Sequence, residues 1–157
     1  MEISELAANI NQPVFEDKLT QVYGSDRLES AKSRCTEVTE GFRQTFGYPA
    51  QALLSAPGRT ELGGNHTDHQ RGCVLAAAVD LEMRAAVTPN HDGVIRVFSQ
   101  GFAPVEVALG DWTPRPEARN TTAALVRGVA DGLQKAGLRV GGFDAVITST
   151  VRSGSGL

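Results

Sequence analysis

The sequence predicts an α+β domain, and three observations carry that reading. Between residues 51 and 109, short apolar or alternating runs follow one another, punctuated by glycine, proline and asparagine. Proline-free stretches with helix stops stand on either side, at 27–46 and 121–136. The order is helix, several strands, helix, strand, which is not the regular alternation of a βαβ repeat.

Taken in order, residues 1–25 are polar and interrupted by Pro13 and Gly24, an N-terminal arm with some helix near 3–10. Asp26 with Glu29 three residues on has the form of a capping box, and Gly47 stands where a helix stops, so 27–46 is the main helix of the first half. Its apolar residues are sparse, which predicts a surface position. Residues 51–56, 73–79, 83–89, 94–99, 105–109 and 143–151 read as strands. The turn Asn90-His91-Asp92-Gly93 predicts a hairpin between 83–89 and 94–99. Asp111 to Arg119 holds two prolines and the only tryptophan and reads as loop. Asn120 is the expected cap of a helix over 121–136, with Ala124, Leu125, Val129 and Leu133 at helical spacing and Gly137 as its stop.

Composition removes several function classes. A length of 157 residues allows one core and an arm, and 41% hydrophobic with 21% charged residues fits a globular protein. A net charge of −3 with no basic block gives nucleic-acid binding no electrostatic support. No apolar run approaches the span of a bilayer, and no basic-then-apolar leader opens the chain, so neither membrane insertion nor secretion is expected. Cys35 and Cys73 have no metal or redox spacing, which predicts reduced thiols and a cytoplasmic location.

The chemistry concentrates between Ser55 and His69. This span holds three glycines, Pro57, Arg59, two histidines, Asn65 and Asp68, and lies between two apolar runs. Glycine permits close backbone approach to a ligand. Arg59 offers a planar fork suited to phosphate or carboxylate, against the plainer reading of a structural salt bridge. Asn65, His66 and Asp68 can grip hydroxyl groups, although a turn carboxylate that satisfies its own loop amides would also account for Asp68. His66 and His69 lack a third ligand and a zinc spacing, so no metal site is assigned. At the end of the chain, a strand runs into Ser153-Gly154-Ser155-Gly156-Leu157. This is either a cradle of backbone N–H groups for phosphate or a flexible tail.

Two of these segments together resemble a known family. Ala56-Pro57-Gly58-Arg59 followed by Gly64-Asn65-His66-Thr67-Asp68 resembles the galactokinase signature Gly-Arg-Val-Asn-Leu-Ile-Gly-Glu-His-Thr-Asp-Tyr. Gly154-Ser155-Gly156-Leu157 is similar to the start of that family's phosphate loop. The resemblance is to the galactokinase branch of the galactokinase–homoserine–mevalonate–phosphomevalonate (GHMP) kinases and covers about residues 48–157. It implies the N-terminal domain of a GHMP-type kinase (ribosomal protein S5 domain 2-like), a mixed β-sheet with helices packed on it. Residues 1–47 would be an N-terminal helical extension, and 48–157 the kinase domain cut at the phosphate loop.

The implied activity is ATP-dependent phosphorylation of the anomeric hydroxyl of galactose or a related sugar. Arg59 would be catalytic, Asn65, His66 and Asp68 would bind sugar, and Ser153, Gly154, Ser155 and Gly156 would line the ATP phosphates. The Mg2+ ligands, the catalytic aspartate and a C-terminal domain are expected beyond Leu157, so this chain alone is expected to be inactive. Glu61, Asn65, His69 and Arg152 stand where the family usually has Asn, Glu, Tyr and Pro. Three alternatives stay open beside this reading. They are a sugar- and nucleotide-binding regulator without catalysis, a kinase for a galactose relative altered at carbon six, and a structural fragment without activity.

Overall fold

The computed structural model describes residues 9–10, 12–64, 72–152 and 154. Helix α1 (Pro13–Tyr23) opens with proline in its first turn, where the missing N–H has no intrahelical partner to lose. A short 3₁₀ turn, Ser25–Arg27, follows, and helix α2 (Leu28–Phe46) starts from Arg27 with no side-chain cap. The expected capping role of Asp26 is therefore not realised, because that residue lies inside the 3₁₀ turn. Gly47 ends α2 in the left-handed conformation, as its position predicts.

The few apolar residues of α2 are aligned rather than scattered. Ala31, Cys35, Val38, Thr39 and Phe42 are buried, at the spacing of one helical stripe. The helix thus covers the sheet on one side and is not a surface appendage. Val38 and Phe42 pack with Ala50, Ala86 and Val146. Phe42 also lies 4.8 Å from Phe46 and 5.6 Å from Tyr48, ring centre to ring centre. Truncating a fully buried phenylalanine of this kind to alanine costs about 3–5 kcal/mol.

Five strands form one mixed sheet in the order β1-β2-β5-β3-β4. They are β1 (Ala52–Gly63), β2 (Leu75–Pro89), β3 (Val94–Ser99), β4 (Val105–Ala108) and β5 (Phe143–Ser149). Three sequence expectations need correction. The expected strands 73–79 and 83–89 are one long strand, β2, beginning at Leu75, because pairing to β1 on both sides of the polar interruption carries the strand across it as a bulge. Strand β1 does not stop at Ala56 but continues through Pro57, Gly58 and Arg59 to Gly63. The segment 83–89 does not pair with 94–99. Strand β5 inserts between them, antiparallel to β2 and parallel to β3. The side chain of Asn90 spans the gap, donating to the Val94 carbonyl and to buried Asp144 on β5. A turn signal reports local geometry, whereas the neighbour is chosen by which strand completes the core.

Helix α3 (Thr122–Lys135) is capped by Thr121, whose side chain accepts from the Ala124 amide, and not by Asn120, which takes a positive φ of 63°. Its core side is also displaced from the expected stripe. Ala123 and Val126 pack on Ile95, Val97, Val107 and Ala145, and Ala130 is buried, while Leu125, Val129 and Leu133 are exposed. Between α3 and the sheet, an apolar groove of about 650 Å³ is lined by Leu54, Met83, Val87, Phe102, Leu125 and Ile147.

Candidate functional site

Strands β1 and β5 both flank β2 and both run antiparallel to it. Their C-terminal ends therefore emerge at the same end of the sheet. The β1 end carries Arg59 and leads into the signature loop. The β5 end leads to Gly154. Two strand ends separated by about ninety positions in sequence thus leave the sheet in the same direction.

Arg59 lies at an irregularity. Pro57 is opposite Glu82, but Arg59 is opposite Ala78, so β2 bulges between these positions. The guanidinium is mostly exposed, and its ionic partner among the described residues is Glu61, at 3.7 Å. That distance is long for a strong ion pair, and exposed pairs contribute about 0–1 kcal/mol, so little energy stands in the way of Arg59 turning to an anionic ligand. Gly58, beside it, is buried.

At the base of the loop, Gly64 has a φ of 86°, and a Cβ there would lie 2.4 Å from the Cys73 carbonyl oxygen. Only glycine fits both the conformation and the approach. Asn65, His66 and Asp68 lie in the loop that follows, outside the described residues, as do Ser153, Ser155 and Gly156. Gly154 is described. It has a φ of 76°, and among the described residues nothing would meet a Cβ within 4 Å. An open left-handed residue is compatible with a backbone nest for phosphate oxygens. Among the described residues, no group of three or more His, Cys, Asp or Glu side chains could hold a metal ion.

The structure adds residues that the sequence reading did not single out. Glu82 is buried with its carboxylate fully engaged. Tyr23 donates to it at 2.5 Å, Ser55 donates to the same oxygen, and Arg84 donates to the other oxygen at 2.7 Å. Arg34 forms an ion pair with it at 3.0 Å. Burial pushes this carboxyl up, but the hydrogen bonds from Ser55 and Tyr23 and the charges of Arg84 and Arg34 outweigh it, leaving it below its ordinary value. Arg84 continues to the Ala31 carbonyl and the Cys35 sulfur and lies over the Tyr23 ring. A pocket of about 340 Å³ beside this cluster is lined by Tyr23, Ser55, Pro57, Ala78, Asp80 and Glu82. The available signal was the period-two spacing of Glu82 and Arg84 within an apolar strand, which puts two opposite charges on one face.

Comparison with known proteins agrees with this geometry. The galactokinase galactose-binding signature matches residues 40–89. Galactokinase of Chloroflexus aurantiacus is 39% identical over 116 residues, which is 74% of this chain and 30% of that protein. Galactokinase of Streptomyces coelicolor is 37% identical over 122 residues, 76% of this chain and 31% of that protein. The chain thus spans about 30% of the length of these curated relatives. Among solved structures, Lactococcus lactis galactokinase complexed with galactose superposes with a TM-score of 0.66 at 26% identity, over 76% of this chain and 31% of that one. Methanococcus jannaschii mevalonate kinase superposes with a TM-score of 0.52 at 16% identity, over 68% of this chain and 34% of that one, a likeness of fold. The expected α+β fold of the N-terminal domain of a GHMP-type kinase is the fold observed. No described helix is long and apolar enough to cross a membrane.

Proposed function

The chain matches the N-terminal portion of the galactokinase family in sequence and fold, and from that premise we propose that the full-length protein transfers the ATP γ-phosphate to the anomeric hydroxyl of galactose or a close relative. The observation that carries this reading is the convergence of the β1 and β5 ends on one end of the sheet. In this reading one ligand touches both the Arg59 strand and the Gly154 turn, and the shared direction of the two strand ends supports it.

In this reading, residues 48–157 are the first part of the kinase domain, and residues 1–47 are an N-terminal helical extension whose described helices pack into it. Asn65, His66 and Asp68 hold sugar hydroxyls. Residues 153–156 cradle phosphate oxygens through backbone N–H groups, for which the open left-handed Gly154 is suited. Bound ATP with Mg2+ would supply the phosphoryl group and neutralise part of its charge. Arg59 places a fixed positive charge at the end of β1, where negative charge grows on the transferring group. Neither the magnesium ligands nor the base that takes the sugar proton is assigned to a residue of this chain.

The test is sugar-dependent ADP release by the full-length protein. Turnover with galactose well above the ATP-only background is the expected result. Tight binding of galactose and ATP without turnover would replace this reading with that of a non-catalytic regulator.

A further inference from the structure

We propose that Glu82 is a positioning residue of the transfer site, holding the strand that carries Arg59 and the strand end that leads to Gly154 in one frame with the N-terminal helices. Its part in transfer rests on the function proposed above, whereas its part in positioning rests on geometry alone. The side chain reaches three elements. Tyr23 closes α1, Arg34 lies on α2, and Ser55 lies on β1 two residues before Pro57. The backbone reaches a fourth. The Glu82 carbonyl accepts from the Thr150 amide at 2.9 Å, and the Thr150 hydroxyl accepts from the Glu82 amide at 2.9 Å. Thr150 is the first residue after β5, on the way to Gly154.

The location matters because the β1–β2 ladder breaks there. Pro57 is the last residue in register before the shift, and its partner is Glu82. Ladder hydrogen bonds therefore do not run unbroken to Arg59, and another constraint must set where the strand resumes. A carboxylate that receives two hydroxyls and two guanidinium groups supplies it, since charge-assisted hydrogen bonds are short and directional. Fold stability alone does not account for such a group. Apolar residues of similar volume often replace a buried ion cluster without loss. What they cannot replace is the convergence of α1, α2, β1 and the end of β5 on one residue.

The experiment uses the full-length protein with Glu82→Gln, Tyr23→Phe and Ser55→Ala, each alone and in an Arg59→Ala background. Turnover is measured per folded molecule, and amide hydrogen exchange on the same samples. Glu82→Gln is expected to lower turnover about tenfold, and Tyr23→Phe and Ser55→Ala several-fold. These losses should largely vanish once Arg59 is alanine, because they act through it. Exchange should quicken at residues 59–63 and 150–152 and stay unchanged in β3 and β4. Losses that multiply unchanged with Arg59→Ala, or exchange that quickens throughout the sheet, would overturn the proposal. Should Glu82→Gln fail to fold, the milder Tyr23→Phe and Ser55→Ala decide. Should the unmodified protein show no sugar-dependent turnover, the proposed function falls, and the exchange pattern still decides whether Glu82 positions the two strand ends.

Discussion

Gly64 approaches Cys73 so closely that a single added Cβ would lie 2.4 Å from the Cys73 carbonyl oxygen. The contact closes the base of the loop that holds Asn65, His66 and Asp68. It fixes where that loop leaves β1 and where it returns towards β2.

Gly64→Ala should therefore act twice. The alanine would be held at a φ of 86° and would press on a backbone carbonyl. Strain of this kind costs about 1–3 kcal/mol. Thermal unfolding should show that loss, and in the full-length protein galactose affinity should fall with it. A variant with unchanged melting temperature and sugar affinity would mean that the loop base does not constrain the loop.

Arg59→Ala in the full-length protein should lower turnover far more than it weakens sugar binding. The guanidinium is mostly exposed, and among the described residues its ion pair is a long one, to Glu61 at 3.7 Å, so its removal should leave the described fold intact. Its charge would act mainly when phosphate is in transit, which places its effect in kcat. Steady-state kinetics beside direct sugar titration separates the two quantities. An equal loss in both would make Arg59 a binding residue.

The Tyr48–Asp144 pair should appear as a slope of stability at high pH. Burial, then the hydrogen bond to Asp144 and its negative charge, push the Tyr48 hydroxyl up from 10.0 to about 12. The folded protein keeps this proton after the unfolded chain has released it. The contribution is thus fully present below pH 10.0 and is lost as pH rises through about 12. Tyr48→Phe should flatten the decline in that window, and a late tyrosinate absorbance step should disappear with it. A full-height step in the variant would assign it to Tyr23, the other of the two tyrosines.

Sugar choice should respond to residue 65. An amide accepts a hydrogen bond through its carbonyl but, unlike a carboxylate, does not repel an anionic substituent. In the full-length protein galactose should be a substrate, and Asn65→Glu should shift the galactose-to-galacturonate ratio of specificity constants towards galactose. A difference of about 1–3 kcal/mol is expected, the range for one hydrogen bond made or left unsatisfied. An unchanged ratio would mean that residue 65 does not face carbon six.

The sequence by itself determined the fold class and most of the helices and strands. Gly47 and Gly137 mark helix ends, the alternation through 94–99 marks a strand, and the segments around Arg59 and Gly154 carry the resemblance to galactokinases through residue types at fixed spacing. These signals are local, since each depends on backbone preference or on neighbours within a few residues. Strand order was decided only in the tertiary structure. The turn at 90–93 has the residues of a hairpin, yet β5 from fifty positions downstream lies between β2 and β3. The same holds for α3, where Leu125, Val129 and Leu133 are as apolar as a core stripe but are exposed. It holds most of all for Glu82. The spacing of Glu82 and Arg84 puts two opposite charges on one strand face but does not say what else meets them. Its role comes from Tyr23, Arg34, Ser55 and Thr150 arriving from four separate parts of the sequence, and no local pattern encodes such a meeting.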